Sequence, residues 1–362
     1  MKTTMTNRSL TILALAALLV GILLMSASRM LAAEPTPAQA ADDKAADYDE
    51  VIRQLLEATG GAHVRLVWRS GTAEGARVMG LDTETRKCRV LLDKLADAHP
   101  WISPDGTYVM VNQLGKNGNE GCWHVDWATG TSKKFLWGRS AYATSGWVDP
   151  KTGKRWVVVT DSYDGRPWNE GLGAGDKVYR HLLSDPATKV LIWDKTPVTQ
   201  CFDLSADGKK AGGLLPFNKA GVADLEAGTY AIYGLGCFAS FATDNSNRLM
   251  HLEGNHRRVS VHDAGNQNKR SIPVNTMPLV AGQKPMWHSR WANNTRFLVL
   301  MGPEGGLSQI YFGRFDEKWT AVEQWVQVTN TKHGNGMPSA WVASEGEFKP
   351  APDADPAKTA KP

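Results

Sequence analysis

One short unit recurs along this chain, and the recurrence limits what the chain can fold into. The unit is clearest over residues 99–112, where Trp101 and Ile102 precede Pro104-Asp105-Gly106 and Tyr108, Val109, Met110 and Val111 follow it. Proline sets φ for a turn, and Asp and Gly accept the left-handed backbone of a tight hairpin, so two antiparallel strands are predicted. A third strand over 122–127 ends in Ala128-Thr129-Gly130, and a fourth over 134–137 completes a four-stranded meander. Degenerate copies follow Trp147, Cys201, Cys237 and His288, with turns at Asp149, Asp207, Asp244 and Asn294. Asp105 and Asp207 are 102 residues apart with one copy between them, and Asp207 and Asp244 are 37 apart. Four strands in a period of about 40 residues are the signature of a β-propeller.

Six blades are expected, over 62–93 with 336–344, 98–137, 143–194, 200–234, 236–274 and 285–329. The first has only three strands of its own, and residues 337–343 supply a fourth, so the N- and C-terminal strands close the ring. Before the propeller, Val51, Ile52, Leu55 and Leu56 form the stripe of a short helix over 47–58, stopped by Gly60-Gly61. Residues 41–61 are therefore linker and helix. Residues 1–40 combine Lys2 and Arg8, an apolar run from Leu10 to Met25 and a small-residue cleavage site at Ala38-Gln-Ala40, which predicts a cleaved export signal. That places the protein in the periplasm or secreted, with a membrane attachment only if the segment stays uncleaved. Residues 345–362 read as a disordered tail.

The formal charge of +4 falls to about +2 without residues 1–40, a balance that excludes a nucleic-acid partner. The 14 tryptophans, among them Trp101, Trp147, Trp156 and Trp291, fall mostly in strands, where packing between blades accounts for them. Segments 251–256 and 171–177 lack the spacing of a zinc-protease helix and of a phosphate loop.

If the Asp-Gly turns share one face, the opposite face carries the starts of the innermost strands and the loops between second and third strands. The longest of these, 161–177, offers Tyr163 and Trp168 to stack on a sugar and Asp164, Arg166, Asn169 and Glu170 to bond its hydroxyls. His99 and His288 start equivalent strands and should open onto one end of the central channel. With Gln200 they form a possible divalent-metal set; no other cofactor is expected. Two disulfides fit an exported protein, Cys201 with Cys237 and Cys88 with Cys122.

Units of strand, Ser-Pro-Asp-Gly, strand, and a strand ending in Asp-x-x-Thr-Gly resemble the repeats of TolB-like six-bladed propellers, over residues 62–344. The His and Gln set is similar in residue type to the channel metal site of the oligogalacturonate lyases, which have seven blades. Three functions follow as expectations. The first is an exported module binding a carbohydrate or a protein, with Tyr163, Asp164, Arg166, Trp168, Asn169, Glu170, His99 and His288 as ligand-binding residues. The second is a metal-dependent lyase or hydrolase of acidic oligosaccharides. The third, implied by the resemblance, is a scaffold in an envelope complex. A monomer is expected.

Overall fold

The structure, a computed structural model, describes residues 48–71, 75–95, 97–115, 118–138, 141–162, 175–277, 285–303 and 307–344. The expected export signal, the tail and the loop residues Tyr163 to Glu170 lie outside these.

Helix α1 (Asp49–Thr59) ends where Gly60 turns left-handed and the Gly61 N–H reaches back to the Leu56 carbonyl at 2.7 Å. Six four-stranded antiparallel sheets follow. Blade 1 holds β1 (Val64–Ser70), β2 (Ala76–Asp82) and β3 (Lys87–Leu95). Blade 2 holds β4 (Ala98–Ile102), β5 (Tyr108–Gly115), β6 (Gly118–Asp126) and β7 (Ser132–Trp137). Blade 3 holds β8 (Tyr142–Val148), β9 (Arg155–Ser162), β10 (Gly175–Leu182) and β11 (Asp185–Trp193). Blade 4 holds β12 (Thr199–Leu204), β13 (Lys210–Leu214), β14 (Lys219–Asp224) and β15 (Thr229–Leu235). Blade 5 holds β16 (Cys237–Phe241), β17 (Leu249–Leu252), β18 (Arg258–Asp263) and β19 (Gln267–Pro273). Blade 6 holds β20 (Trp287–Trp291), β21 (Phe297–Gly302), β22 (Gln309–Phe315) and β23 (Val322–Gln327). The last strand, β24 (Asn335–Val342), pairs antiparallel with β1 and becomes the innermost strand of blade 1. The ring is thus closed by the two ends of the propeller, as the sequence predicts.

No single centre holds the apolar core. It is divided into six wedges, one between each pair of successive blades. Ile52, Leu55 and Ala58 of α1 add the helix to the wedge between blades 6 and 1, beside Phe312 and Val326. The turn residues serve these junctions. Asp105 accepts from the Ser103 and Thr107 hydroxyls, which leaves Gly106 at φ 70° lying flat on Trp341 of blade 1; a Cβ there would sit 2.6 Å from the ring. Gly208 repeats the contact on Trp147 of blade 3. Arg155 of blade 3 donates to Asp105 of blade 2 at 2.6 Å.

None of the four cysteines is in a disulfide, so neither expected bridge forms. Cys88 packs toward α1 in the wedge between blades 6 and 1, whereas Cys122 is sealed between blades 2 and 3. Cys201 faces the channel while Cys237 packs between blades 5 and 6. Neighbouring blades bring each pair of strands close, but the side chains enter different compartments. Among the described residues, no helix is long and apolar enough to cross a membrane.

Candidate functional site at the channel mouth

The innermost strands do not enter the channel as regular ladders. In β12, β16 and β20 the register against the next strand slips between Thr199 and Phe202, between Cys237 and Ser240, and between Trp287 and Arg290. β24 slips against β1 at the corresponding place, between Gly336 and Ser339. In each bulge the first extra residue is left-handed: Gln200 at φ 63°, Phe238 at 51°, His288 at 49° and Met337 at 53°. A left-handed residue other than glycine costs on the order of 1–3 kcal/mol, so four blades carry the same strain at the same level. The result is that all four side chains line one cavity of about 60 Å³ at the start of the inner strands.

His99 enters the same cavity from β4, which keeps its register and pairs His99 with Asn112. The His99 and His288 ring centres are 6.3 Å apart, and His288 lies 4.1 Å from the Phe238 ring. The structure therefore brings together His99, His288, Gln200 and Cys201 of the sequence-predicted residues. It adds Tyr142, Phe238, Met337 and Arg290, which the repeat pattern alone does not single out.

The Tyr142 hydroxyl lies 2.8 Å from His99 Nδ1 and has no other hydrogen-bond partner among the described residues. Its proton is therefore best placed on that bond, which leaves His99 with its own proton on Nε2. Nε2 is buried and has no hydrogen-bond partner among the described residues, and the same holds for the Ser289 hydroxyl on the same cavity. Burial pushes the His99 imidazole down to about 4, with Arg69 acting in the same direction against Asp97. Burial also holds His288 well below its ordinary value, helped by His99 and Arg69. Both rings are thus neutral near pH 7. Burial pushes the Cys201 thiol up to about 12, so near pH 7 it is a neutral thiol.

Below this cavity the channel is crossed by an ion pair. Arg290 of β20 donates to Asp203 of β12 at 2.9 Å and to the Thr144 carbonyl of β8 at 2.7 Å. Asp203 also accepts from the Phe241 N–H at 3.1 Å and the Ser240 hydroxyl at 3.3 Å, both of β16. Four blades are tied across the axis by these contacts. A second cavity of about 30 Å³ lies at the turn end, lined by Ser103, Pro104 and Asn293 with Arg290 at its boundary.

Groups of three potential metal-binding His, Cys, Asp or Glu residues occur among the described residues only at His63, Asp82 and Glu84, away from the channel. There the two His63 nitrogens face Asp82 at 2.9 Å and Glu84 at 3.4 Å, and Asp82 also accepts from Arg65 and Trp127. This cluster is satisfied internally and staples blade 1 to blade 2. At the channel mouth, two neutral imidazoles, an amide and the Tyr142 and Ser289 hydroxyls can hold a polar group.

No family model and no curated protein matches the sequence. Solved structures do match. TolB from Acinetobacter baumannii superposes with a TM-score of 0.57 at 13% identity, covering 78% of this chain and 67% of that one. A nidogen/laminin complex gives 0.52 at 9% identity, covering 76% and 98%. Kuenenia stuttgartiensis hydrazine synthase gives 0.50 at 13% identity, covering 80% of this chain and 48% of the other. With six four-stranded blades closed by the terminal strands, the chain has the fold of the TolB-like six-bladed β-propellers.

Proposed function

We propose that the protein is a binding propeller whose recognition centre is the channel mouth, and that its ligand is a protein segment that inserts one polar group. The observation that carries this is the His99 Nε2–H, buried without a partner among the described residues on the wall of a cavity framed by four strained residues. Buried polar atoms are nearly always hydrogen-bonded, so an N–H on the wall of an open cavity is available to a ligand acceptor. The cavity has room for a few water molecules. An extended chain can put a side chain or a terminus into it, whereas a sugar ring would have to stay outside. The likeness to TolB and to a nidogen/laminin complex supports the fold in which such a mouth is built.

The test is a photo-crosslinking residue in place of Met337, at the mouth, compared with one in place of Val90 on the outer strand of blade 1. Protein adducts from position 337 alone support the reading. Adducts from both positions alike, or from neither, oppose it, and a hit on a glycan panel would restore the carbohydrate ligand.

A second reading, a divalent metal on His99, His288 and Gln200, is favoured by two neutral imidazoles sharing the cavity. Metal analysis of protein purified without chelator decides it: stoichiometric metal that disappears in His288→Ala supports an enzyme, and metal-free protein removes that reading.

A further inference from the structure

A polar group that enters the channel mouth has to match the wall it meets, and that wall is one-sided in charge. Among the described residues that line the cavity, Arg290 alone carries a charge near pH 7, and none is Asp or Glu. Its counter-ion Asp203 lines the lower cavity and not this one. The Arg290 guanidinium forms the floor. It donates from Nη2 to Asp203 at 2.9 Å and to the Thr144 carbonyl at 2.7 Å, while its Nε and Nη1 make no hydrogen bond among the described residues. Above it stand two more donors, the His99 Nε2–H and the Ser289 hydroxyl, on residues that are 6% and 3% exposed. Two acceptors of the same wall are closed. The Asn112 amide is held at both ends by the Ala143 backbone, at 2.7 Å each, and the Thr144 carbonyl takes Arg290.

Given a mouth that receives a protein segment, on which this step rests, we infer that the inserted group is a carboxylate, held by the His99 Nε2–H and the Ser289 hydroxyl over the Arg290 guanidinium. An ionised carboxylate only accepts, at up to about four sites, so it takes these hydrogens without bringing one of its own. It also supplies the negative charge that the wall lacks, and hydrogen bonds with an ionised partner are about twice as strong as neutral ones. A buried carboxylate persists only where it is paired and hydrogen-bonded, which these three groups together provide. A ligand ammonium would meet the Arg290 charge and donors like its own. A neutral amide would satisfy the donors without answering the charge. A chain terminus and an Asp or Glu side chain offer the same group.

The test is an NMR titration of the purified chain carrying isotope-labelled histidine, with the His99 ring signals assigned by their loss in His99→Phe or His99→Gln. The probes are acetate, acetamide and methylammonium, at equal ionic strength near pH 7. Acetate should shift the His99 signals saturably and bind at least about tenfold tighter than acetamide, and methylammonium should not bind. Ser289→Ala, which removes a hydroxyl without a partner among the described residues, should keep the fold and weaken acetate at least about threefold. N-acetylglycine as a chain terminus, against N-acetyl-aspartate N-methylamide as a side chain, then tells the source by which binds tighter. Acetate that binds no tighter than acetamide, or that is indifferent to Ser289→Ala, overturns the carboxylate; the recognition centre itself is judged separately, by crosslinking from position 337. Galacturonate binding tighter than both peptide models would overturn the protein origin of the group.

Discussion

Asp203→Ala should be among the most damaging single changes in this protein. The Asp203 side chain is 4% exposed and its partner Arg290 is 20% exposed, so removing the carboxylate strands a largely buried guanidinium with only the Thr144 carbonyl. Breaking a buried pair from one side costs about 3–5 kcal/mol. The Phe241 N–H and the Ser240 hydroxyl lose their acceptor as well, at about 1–3 kcal/mol for each group left unsatisfied. Some of these groups will find water, so a total of about 4 kcal/mol is expected, a large part of the 5–15 kcal/mol that typically separates folded from unfolded. Arg290→Met should cost about 3 kcal/mol, because Asp203 keeps its two β16 donors. The double variant Asp203→Ala/Arg290→Met should be at least about 2 kcal/mol less damaging than the sum of the two, since it leaves no buried charge. Urea denaturation followed by tryptophan fluorescence measures all three. Strict additivity, or single costs below about 1 kcal/mol, would refute the account of this pair as a tie across the channel.

Three further outcomes are expected. Gly106→Ala should cost about 2 kcal/mol in the same assay, from the left-handed turn and the contact with Trp341, and a neutral result would contradict the junction described here. Gln200→Gly should raise stability by about 0.5–1 kcal/mol by relieving a left-handed bulge, while weakening capture from position 337; a loss of stability would show that the bulge is not strained. Burial holds His251 at about 4 against an ordinary 6.5, so the unfolded chain takes up a proton that the folded one refuses. Its contribution is intact above pH 6.5 and is lost as pH falls from there toward 4, up to about 3 kcal/mol. A His251→Asn variant whose stability declines over that window as steeply as the wild type would count against this.

Much of the fold is legible in the sequence because it rests on local chemistry. The Asp-Gly turns, the strand pattern and the missing strand of blade 1 give blade number and closure, and the Gly60-Gly61 stop gives the end of α1. Equivalent position in the repeat also places His99 and His288 together. The bulges are not legible: Gln200, Phe238, His288 and Met337 share no preference for a left-handed backbone, which is imposed by packing around the axis. The Arg290–Asp203 pair joins residues 87 apart, and nothing local announces it. The cysteine spacings put each pair on neighbouring blades but not which compartment each side chain enters, which is why both expected bridges fail.

The central claim is that His99 Nε2 receives the ligand, and His99→Phe tests it most directly. Phenylalanine keeps a ring of similar size and offers no nitrogen. Crosslinking from position 337 should fall at least tenfold in a His99→Phe variant that still folds, which corresponds to about 1.4 kcal/mol for one buried hydrogen bond. Undiminished crosslinking in that variant would contradict recognition at the channel mouth.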